Sequence, residues 1–200
     1  MTPLWWNIPS SRSDRLLRRN TLSAWELARM ERLRLPADRA RFVTAWTLAR
    51  HVLSRTVGRA PVDLVFTREC VLCGHPSHGK PRLLDSTVDF SLSHAGDRVL
   101  LAVSETLLVG VDIEERARPI GDLAGQILHP DESGSTEDLL RVWVRKEALL
   151  KASGHGLVKP MTQLSLANPP VGSSTNDLPV GGRYLAAVAT LARVRSPSVG

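Results

Sequence analysis

Two segments of this sequence place carboxylates and cations at spacings that regular secondary structure turns into shared faces. Asp112 and Glu114 are two residues apart in an apolar, β-like run, so on a strand both side chains point off one face. Glu147 and Lys151 are four residues apart in a helical pattern, so they share one helix face. Three carboxylates beside cationic side chains suit a hard divalent cation that carries a phosphate. Taken singly, each segment is also typical of a strand-end turn or of a solvated helix with an ion pair.

Two further motifs bring donors that suit phosphate groups. Ser93 and His94 end a strand-like stretch and enter a turn at Gly96, which places a hydroxyl and an imidazole at a strand end, where ligands often bind. Lys80 stands in a Gly-Lys-Pro tripeptide within a loop dense in helix and strand breakers. Alone, the first motif is equally explained by a capped turn, and the second is weak.

The least expected motif is a group of metal-ligating residue types just before that tripeptide. Cys70 and Cys73 are followed closely by His75 and His78. Two thiolates and two imidazoles can close a small tetrahedral Zn²⁺ site, and one interpretation is therefore a structural zinc. The alternative is a pair of reduced cysteines that pack a loop. A redox Cys-x-x-Cys is disfavoured because no thioredoxin-like strand–helix context surrounds it.

The elements that must position these residues follow from periodicity and breakers. We predict strands at residues 1–11, 62–66, 88–93, 99–103, 107–112, 163–167 and 183–191, helices at 12–34, 36–57 and 137–153, and a polar loop at 168–182. Ser23 and Glu26 form the pattern of a capping box. Residues 115–137 are expected to be loop and weak helix, and the tail after residue 194 to be frayed. This alternation of elements indicates an α+β fold.

Composition restricts the function classes. The 200 residues can bury a core without disulfides, and no apolar run approaches the roughly 20 residues that span a membrane. The N-terminus lacks the pattern of a signal peptide, so we expect a cytoplasmic protein without membrane association. The net charge of +6 and the isoelectric point of about 10.1 favour an anionic partner. Much of the basic charge is arginine between residues 12 and 59, and arginine binds phosphates in bidentate fashion.

In their order and spacing, four motifs resemble those of the 4′-phosphopantetheinyl transferases of the broad-specificity, Sfp-type class. They occupy residues 79–81, 90–96, 110–114 and 143–151, the last extended by residues 154–157. The resemblance implies an enzyme that moves the phosphopantetheine arm of coenzyme A onto a serine of an acyl or peptidyl carrier protein and releases 3′,5′-ADP. It also implies two similar α/β halves related by a pseudo-twofold, here residues 1–104 and 105–200, with coenzyme A in the cleft between them.

The resemblance also assigns roles to residues. Asp112, Glu114 and Glu147 are the expected Mg²⁺ ligands, although some members of the family lack an acidic residue at the second of these positions. Lys151 is expected to neutralise charge on the pyrophosphate and the leaving group. Glu147 is expected to accept the serine proton, directly or through water. Trp143 is expected to pack in the core and orient the helix.

Contacts to coenzyme A are expected from both halves. Arg41 matches the arginine for the 3′-phosphate, Lys80 is expected to reach a phosphate, and Pro81 is expected to lie along the adenine. Ser93 and His94 are expected to contact phosphates. Lys146 is expected at the pocket edge, or only in solvent. Arg34 and Arg50 are candidates to extend the basic patch, and Arg50 is equally explained as structural.

A competing interpretation is a small basic nucleic-acid-binding protein that uses arginine-rich helices and a zinc knuckle. It leaves Asp112, Glu114 and Glu147 unexplained, because carboxylates repel phosphate unless a cation intervenes. We therefore expect coenzyme A and an acidic carrier protein as partners, with no nucleic acid and a monomeric protein. The sequence does not distinguish fatty-acid, polyketide and peptide synthesis as the pathway served.

Overall fold

A computed structural model describes residues 2–10, 19–70, 72–76, 78–133 and 136–193 of the chain. The strands are β1 (Leu4–Pro9), β2 (Phe66–Thr67), β3 (Arg82–Leu83), β4 (Asp89–Ala95), β5 (Arg98–Ser104), β6 (Leu108–Glu115), β7 (Ser173–Asp177) and β8 (Tyr184–Leu191). The α-helices are α1 (Ala24–Glu31), α2 (Pro36–Val57), α3 (Ala124–Ile127) and α4 (Thr136–Ser153). This mixture confirms the predicted α+β class. The boundary between halves at residue 104 and their pseudo-twofold relation stay predictions.

The strands form two antiparallel sheets of three and one short hairpin. The first sheet has the order β1-β5-β4 and the second has the order β6-β8-β7, while β2 pairs with β3 in a sheet of two strands. In the first sheet Ser93 lies opposite Leu100, and in the second Asp112 lies opposite Ala187. Each three-stranded sheet therefore carries two of the predicted site residues on an outer strand, Ser93 and His94 on β4 and Asp112 and Glu114 on β6.

Strands β4 and β6 adjoin through side chains rather than through a backbone ladder. Asp89 Oδ2 accepts from the Val109 amide at 2.7 Å, and Ser91 Oγ accepts from the Val111 amide at 3.1 Å. Polar residues at every second position of β4 therefore face the neighbouring strand, as the period of two in a strand requires. Because these bonds join the outer strands of the two sheets, the polar row continues to Ser93 at the junction.

Helix α2 covers the first sheet. Its first residue is Pro36, whose missing N–H costs nothing there, and it ends at Gly58 in the left-handed region at φ 66°. Ala49 and Leu53 are buried against Phe90 and Leu101 of the sheet. Helix α1 has the predicted capping box, in which the Ser23 and Glu26 side chains each accept from the other's backbone amide.

Helix α4 lies unusually close to β6. A Cβ atom added at Gly110 would lie 1.9 Å from the Ala148 carbonyl oxygen, so only glycine fits this crossing. Ala148 and Ala152 are fully buried in the core beneath the helix. This close approach sets the height of the helix above the sheet, and it brings Glu147 and Lys151 over the strand.

Several predicted elements are wrong. The strand expected at 62–66 is a 3-10 turn, Pro61–Asp63, followed by the short β2, because the carbonyls of Pro61 and Leu64 accept from buried Arg50 instead of a partner strand. The strand expected at 163–167 is absent from the described residues, and a 3-10 turn, Met161–Gln163, stands at its start.

Two other boundaries also differ from prediction. The loop expected at 168–182 contains β7, an edge strand whose side chains are largely exposed, so no apolar alternation marked it. The helix expected at 12–34 begins only at Ala24, and residues 11–18 lie outside the described part. None of the helices in the described part is long and apolar enough to cross a membrane.

Candidate active site

A cavity of about 600 Å³ opens where the two sheets and helix α4 meet. The predicted site residues among its lining are Pro81, Ser93, His94, Asp112, Glu114, Glu147 and Lys151. Asp112 and Glu114 project from β6, and Glu147 and Lys151 project from one face of α4. The structure therefore brings together the carboxylates and the lysine that sequence spacing placed on a strand and a helix.

A triangle of hydrogen bonds forms the floor of this cavity. Lys151 Nζ donates to Asp112 Oδ1 at 2.6 Å and to Ser93 Oγ at 3.0 Å, and Ser93 Oγ donates to Asp112 Oδ1 at 2.8 Å. Ser93, Asp112 and Lys151 come from β4, β6 and α4, so the triangle joins both sheets and the helix. A cationic donor and a carboxylate thus meet at one point that faces the open cavity.

Two carboxylate oxygens beside the triangle lack partners. Asp112 Oδ2 and Glu147 Oε1 are buried, and no group in the described part of the chain forms a hydrogen bond with either. Burial raises the pKa of Glu147, which the negative charges of Asp112 and Glu114 raise further and Lys151 opposes. Buried oxygen atoms without partners are costly to a fold, and they are common where a ligand completes the set.

Glu114 has a partner that the sequence analysis missed. Its carboxylate accepts from Arg118, and the Arg118 guanidinium lies 4.9 Å from the centre of the Trp143 ring. Desolvation, then Asp112, raises the pKa of Glu114, while Arg118 lowers it. Trp143 packs against the core beneath α4, as predicted, and also lines the cavity. Glu114 and Arg118 are four residues apart, a spacing that would predict an ion pair on a helix. Glu114 lies near the end of strand β6, however, where residues four apart have no fixed relation.

Basic groups also stand at and near the cavity, where His94 belongs to the lining and Arg41 lies behind Asp38 rather than in the lining itself. Arg41 donates to the carbonyl of Gly96 at 2.7 Å and pairs with Asp38, which lines the cavity. Desolvation lowers the pKa of His94, and the positive charges of Arg41 and Lys151 lower it further. The positive charges of Arg41 and Lys151 beside His94 favour anions at this position.

A second cavity of about 580 Å³ shares Lys151 and Pro81 with the first. Lys80 also lines it, but its ammonium is turned inward. Nζ lies 2.5 Å from Asp89 Oδ2 and 2.8 Å from the carbonyl oxygen of Val109. Desolvation lowers the pKa of Lys80, against the pull of Asp89. The expected contact of Lys80 with a phosphate stays a prediction. In this structure the ammonium links β4 to β6 through its bonds to Asp89 and Val109.

Two other predicted residues have structural surroundings. Lys146 is fully buried, and its ammonium donates to Ile127 O at 2.7 Å, to Glu132 Oε2 at 2.5 Å and to Met161 O at 3.1 Å. The pocket-edge or solvent position expected for Lys146 is therefore wrong, because three acceptors are gathered beneath α4. Arg50 is also buried and pairs with Glu26 at 2.9 Å, which ties α1 to α2.

Arg68 is a cavity residue that the sequence analysis did not single out. It lines both cavities, and desolvation lowers its pKa, with a smaller contribution from Arg29. Its guanidinium donates to the carbonyl of Gly79 at 3.3 Å. No local pattern marks Arg68 because it follows the short strand β2. By contrast Arg34 is exposed on the surface, and the arginines of residues 11–18 lie outside the described part.

Comparison with known proteins agrees with this geometry. HetI, a 4′-phosphopantetheinyl transferase of Nostoc sp., is 33% identical to the chain over 184 residues, which cover 82% of this chain and 73% of HetI. The chain belongs to the 4′-phosphopantetheinyl transferase superfamily. The sequence model of that superfamily matches residues 108–190, the stretch that contains β6, α4 and the three carboxylates.

Two Bacillus transferases of the superfamily are more distant. The 4′-phosphopantetheinyl transferase psf-1 of Bacillus pumilus is 29% identical over 166 residues, which cover 76% of this chain and 66% of psf-1. The 4′-phosphopantetheinyl transferase Sfp of Bacillus subtilis is 27% identical over 153 residues, which cover 71% of this chain and 64% of Sfp. The chain therefore spans about two thirds of the length of these two relatives.

The carboxylates of this cavity fit the Mg²⁺ that the resemblance implies. Asp112 and Glu147 each offer a buried oxygen that has no partner among the described residues, and Glu114 lines the same cavity. The carboxylates surround the cavity without converging, because their oxygens do not all lie within 4.8 Å of one another. Mg²⁺ retains several waters and binds through one or two carboxylates together with substrate phosphates, so it needs no closed protein cage.

Proposed function

We propose that this chain is a 4′-phosphopantetheinyl transferase of the Sfp type, which moves the phosphopantetheine arm of coenzyme A onto a serine of an acyl or peptidyl carrier protein. The observation that supports this most directly is the meeting of Asp112, Glu147 and Lys151 in one cavity, in a chain of this superfamily. Coenzyme A carries a pyrophosphate and a 3′-phosphate. A site for it must combine fixed cations with carboxylates that hold a divalent metal.

Asp112, Glu114 and Glu147 would hold the Mg²⁺. Bound there, the ion would neutralise pyrophosphate charge and orient its oxygens. Glu114 contributes least in this assignment, because its carboxylate is already engaged by Arg118. Asp112 contributes most, because Oδ1 accepts from Lys151 while Oδ2 has no partner in the described part of the chain.

The protein residues then supply positioning and charge. Arg41 and His94 would bind coenzyme A phosphates at the basic side of the cavity, and Ser93 would donate to one of them. The backbone of residues 79–81 would line the adenine end, where Pro81 borders both cavities. In phosphoryl transfer the contribution of a protein consists mostly of such positioning and electrostatic stabilisation.

The proposed step is displacement at the β-phosphorus of coenzyme A. The carrier serine oxygen forms a bond to that phosphorus, and the bond to the bridging oxygen breaks, which releases 3′,5′-ADP. Glu147 accepts the serine proton, directly or through water. Lys151 stabilises the negative charge that develops on the leaving phosphate.

The test is a transfer assay with purified protein. Carrier proteins of fatty-acid, polyketide and peptide synthesis are incubated separately with coenzyme A and Mg²⁺, and intact mass is measured. We expect at least one carrier to gain a single phosphopantetheine arm, and we expect no gain with the Asp112→Ala variant or when the carrier serine is replaced by alanine. Absence of the mass gain with all three carrier classes would contradict the proposal. The assay also identifies which class is the better partner.

A further inference from the structure

The loop between β2 and β3 carries a group of side chains that the proposed transfer reaction does not use. One ligand atom each from Cys70, Cys73 and His78 lies within 4.8 Å of the other two. Among all the histidine, cysteine and acidic residues in the described ranges, this is the one group that meets that distance. We propose that these three residues bind a Zn²⁺ ion that clips the loop of residues 68–81.

The distances suit zinc after a small contraction. Cys73 Sγ lies 3.3 Å from His78 Nε2. In a tetrahedral site with Zn–S of about 2.3 Å and Zn–N of about 2.0–2.1 Å, neighbouring ligand atoms stand roughly 3.5–3.8 Å apart. The Cys73–His78 pair is therefore already near ligand spacing, and a shift of at most about 1.3 Å is required of either other pair.

The backbone folds closely around the Cys70 side chain. The amides of Leu72 and Cys73 both donate to the Cys70 sulfur. The Gly74 amide donates to the Cys70 carbonyl at 2.9 Å, with Gly74 in the left-handed region at φ 69°. This tight turn returns the chain so that Cys73 lies beside Cys70. The thiolate is the form of cysteine that binds metal.

The second arm of the loop fixes His78. The Gly79 amide donates to the Arg68 carbonyl at 2.7 Å, and a Cβ atom added at Gly79 would lie 2.2 Å from the Glu69 carbonyl oxygen. The chain at Gly79 therefore crosses directly against residues 68 and 69, just before Cys70. His78 is the preceding residue, so this crossing holds its imidazole near the two thiols.

A metal clip has a physical purpose at this position. Strands β2 and β3 contain two residues each and form a sheet of two strands, and such a hairpin is marginal without further support. Cys73 and His78 are exposed, so little hydrophobic burial holds the loop tip. Metal binding supplies folding free energy in small modules of this kind. Cys70 and His78 also line the second cavity, so the clip would stiffen its wall.

The ligand set differs from the one that the sequence alone suggested. His75 stacks its ring on His78, with centroids 5.2 Å apart, but its ligand atoms lie outside the 4.8 Å group. Three protein ligands leave the fourth position of a tetrahedral ion to a water or another small ligand. This assignment makes His75 a matched control for His78 within the same loop.

The test measures metal directly on the full chain, without coenzyme A or carrier protein. Reduced, chelator-treated protein is titrated with Zn²⁺, and stoichiometry is read by elemental analysis. We expect one zinc per chain. Cys73→Ser and His78→Ala should each weaken binding by more than the roughly 10–100-fold typical of losing an outer-shell partner. His75→Ala and His51→Ala, the latter on the exposed face of α2, should bind zinc like the unmodified protein.

Cobalt provides an independent readout. Co²⁺ bound to Cys70 and Cys73 should show a thiolate-to-metal charge-transfer band that weakens in Cys73→Ser. Substoichiometric zinc without that band, or isolation of a Cys70–Cys73 disulfide that binds no metal after reduction, would overturn the proposal. Loss of zinc in His75→Ala would overturn the three-residue assignment. Because neither readout uses transfer activity, failure here leaves the proposed enzyme function intact, and the reverse also holds.

Discussion

The ammonium of Lys151 donates to Asp112 Oδ1 across 2.6 Å, which joins helix α4 to strand β6 at the cavity floor. The Asp112 side chain is 6% exposed and that of Lys151 is 29% exposed, so the pair is partly shielded from water. The same carboxylate is a proposed Mg²⁺ ligand, and Lys151 is the proposed counter-charge to the leaving phosphate. Lys151 and a bound Mg²⁺ would therefore both interact with the Asp112 carboxylate. The effect of Lys151 on Mg²⁺ affinity can be measured.

Replacing Lys151 with alanine should lower kcat by about 10²–10³, or roughly 2.7–4 kcal/mol, the range for losing one preorganised charge. Lys151→Arg should recover part of the loss, because the planar guanidinium fits a site for a point charge imperfectly.

Without coenzyme A, Lys151→Ala should bind Mg²⁺ more tightly, because the positive charge beside Asp112 has been removed. Steady-state kinetics and Mg²⁺ titration measure both effects. Arg141→Ala, an exposed change on the same helix, is the control. Normal turnover by Lys151→Ala would make this helix a scaffold.

Asp112→Ala should abolish measurable turnover at every Mg²⁺ concentration. Glu114→Ala should be milder, because a water can replace one Mg²⁺ ligand and because Arg118 already engages this carboxylate. Activity measured across Mg²⁺ concentrations separates the two variants, and circular dichroism checks that each is folded. Asp177→Ala, an exposed acid on β7, controls for the lost charge. An Asp112→Ala variant that is fully active at ordinary Mg²⁺ contradicts the metal assignment.

Glu147→Gln should lower kcat strongly, because it removes both a charged ligand and a proton acceptor. It should also stabilise the fold at neutral pH by about 1 kcal/mol, a common trade-off at active sites. The sign follows from the raised pKa of Glu147. The folded state retains the proton more readily than the unfolded state, so the contribution of Glu147 to stability is present below its unfolded pKa and is lost as pH rises through the folded pKa.

Denaturant unfolding of both proteins across pH measures this difference. The gain from Glu147→Gln should be full above the folded pKa and should vanish below the unfolded pKa, where the glutamate is protonated in both states. A stability difference that is constant with pH, together with near wild-type kcat, would remove Glu147 from the site.

Arg41→Ala should raise the KM for coenzyme A far more than the KM for the carrier protein. For dephospho-coenzyme A, which lacks the 3′-phosphate, the KM values of the variant and of wild type should differ little. Arg39→Ala is the matched control, because Arg39 lies on the same helix and is exposed. Equal losses for both ligands would show that Arg41 does not contact the 3′-phosphate. Arg41 also bonds Gly96 O, so melting temperatures should accompany the kinetics.

Lys146→Met should destabilise the protein by about 3–5 kcal/mol, because it leaves the Glu132 carboxylate without its buried partner. The KM for coenzyme A should change little, since the ammonium faces Ile127 and Met161 beneath the helix. Denaturant unfolding measures the first effect and kinetics the second. The double variant Lys146→Met, Glu132→Leu should be less destabilised than Lys146→Met alone. A selective rise in the KM for coenzyme A at unchanged stability would restore Lys146 to the pocket.

The sequence by itself determined the elements that carry strong local signals. Helix α2 begins at Pro36 and stops before Gly58, and α1 has its capping box, because these depend on backbone groups a few residues apart. The shared faces of Asp112 with Glu114, and of Glu147 with Lys151, likewise follow from the periods of a strand and a helix. Local geometry was therefore enough to nominate the residues of the cavity.

Only the tertiary structure decided what each nominated side chain touches. Lys146 and Glu147 are neighbours in sequence. The Lys146 ammonium is nevertheless buried among three acceptors, whereas the Glu147 side chain lines the cavity. The Lys80 ammonium binds Asp89. Arg118 pairs with Glu114 and Arg68 lines a cavity, although no local sequence pattern predicted either position. Burial and the partners of a charge depend on which elements pack together, here through the close crossing of α4 at Gly110. That crossing is a long-range property, and no short-range periodicity encodes it.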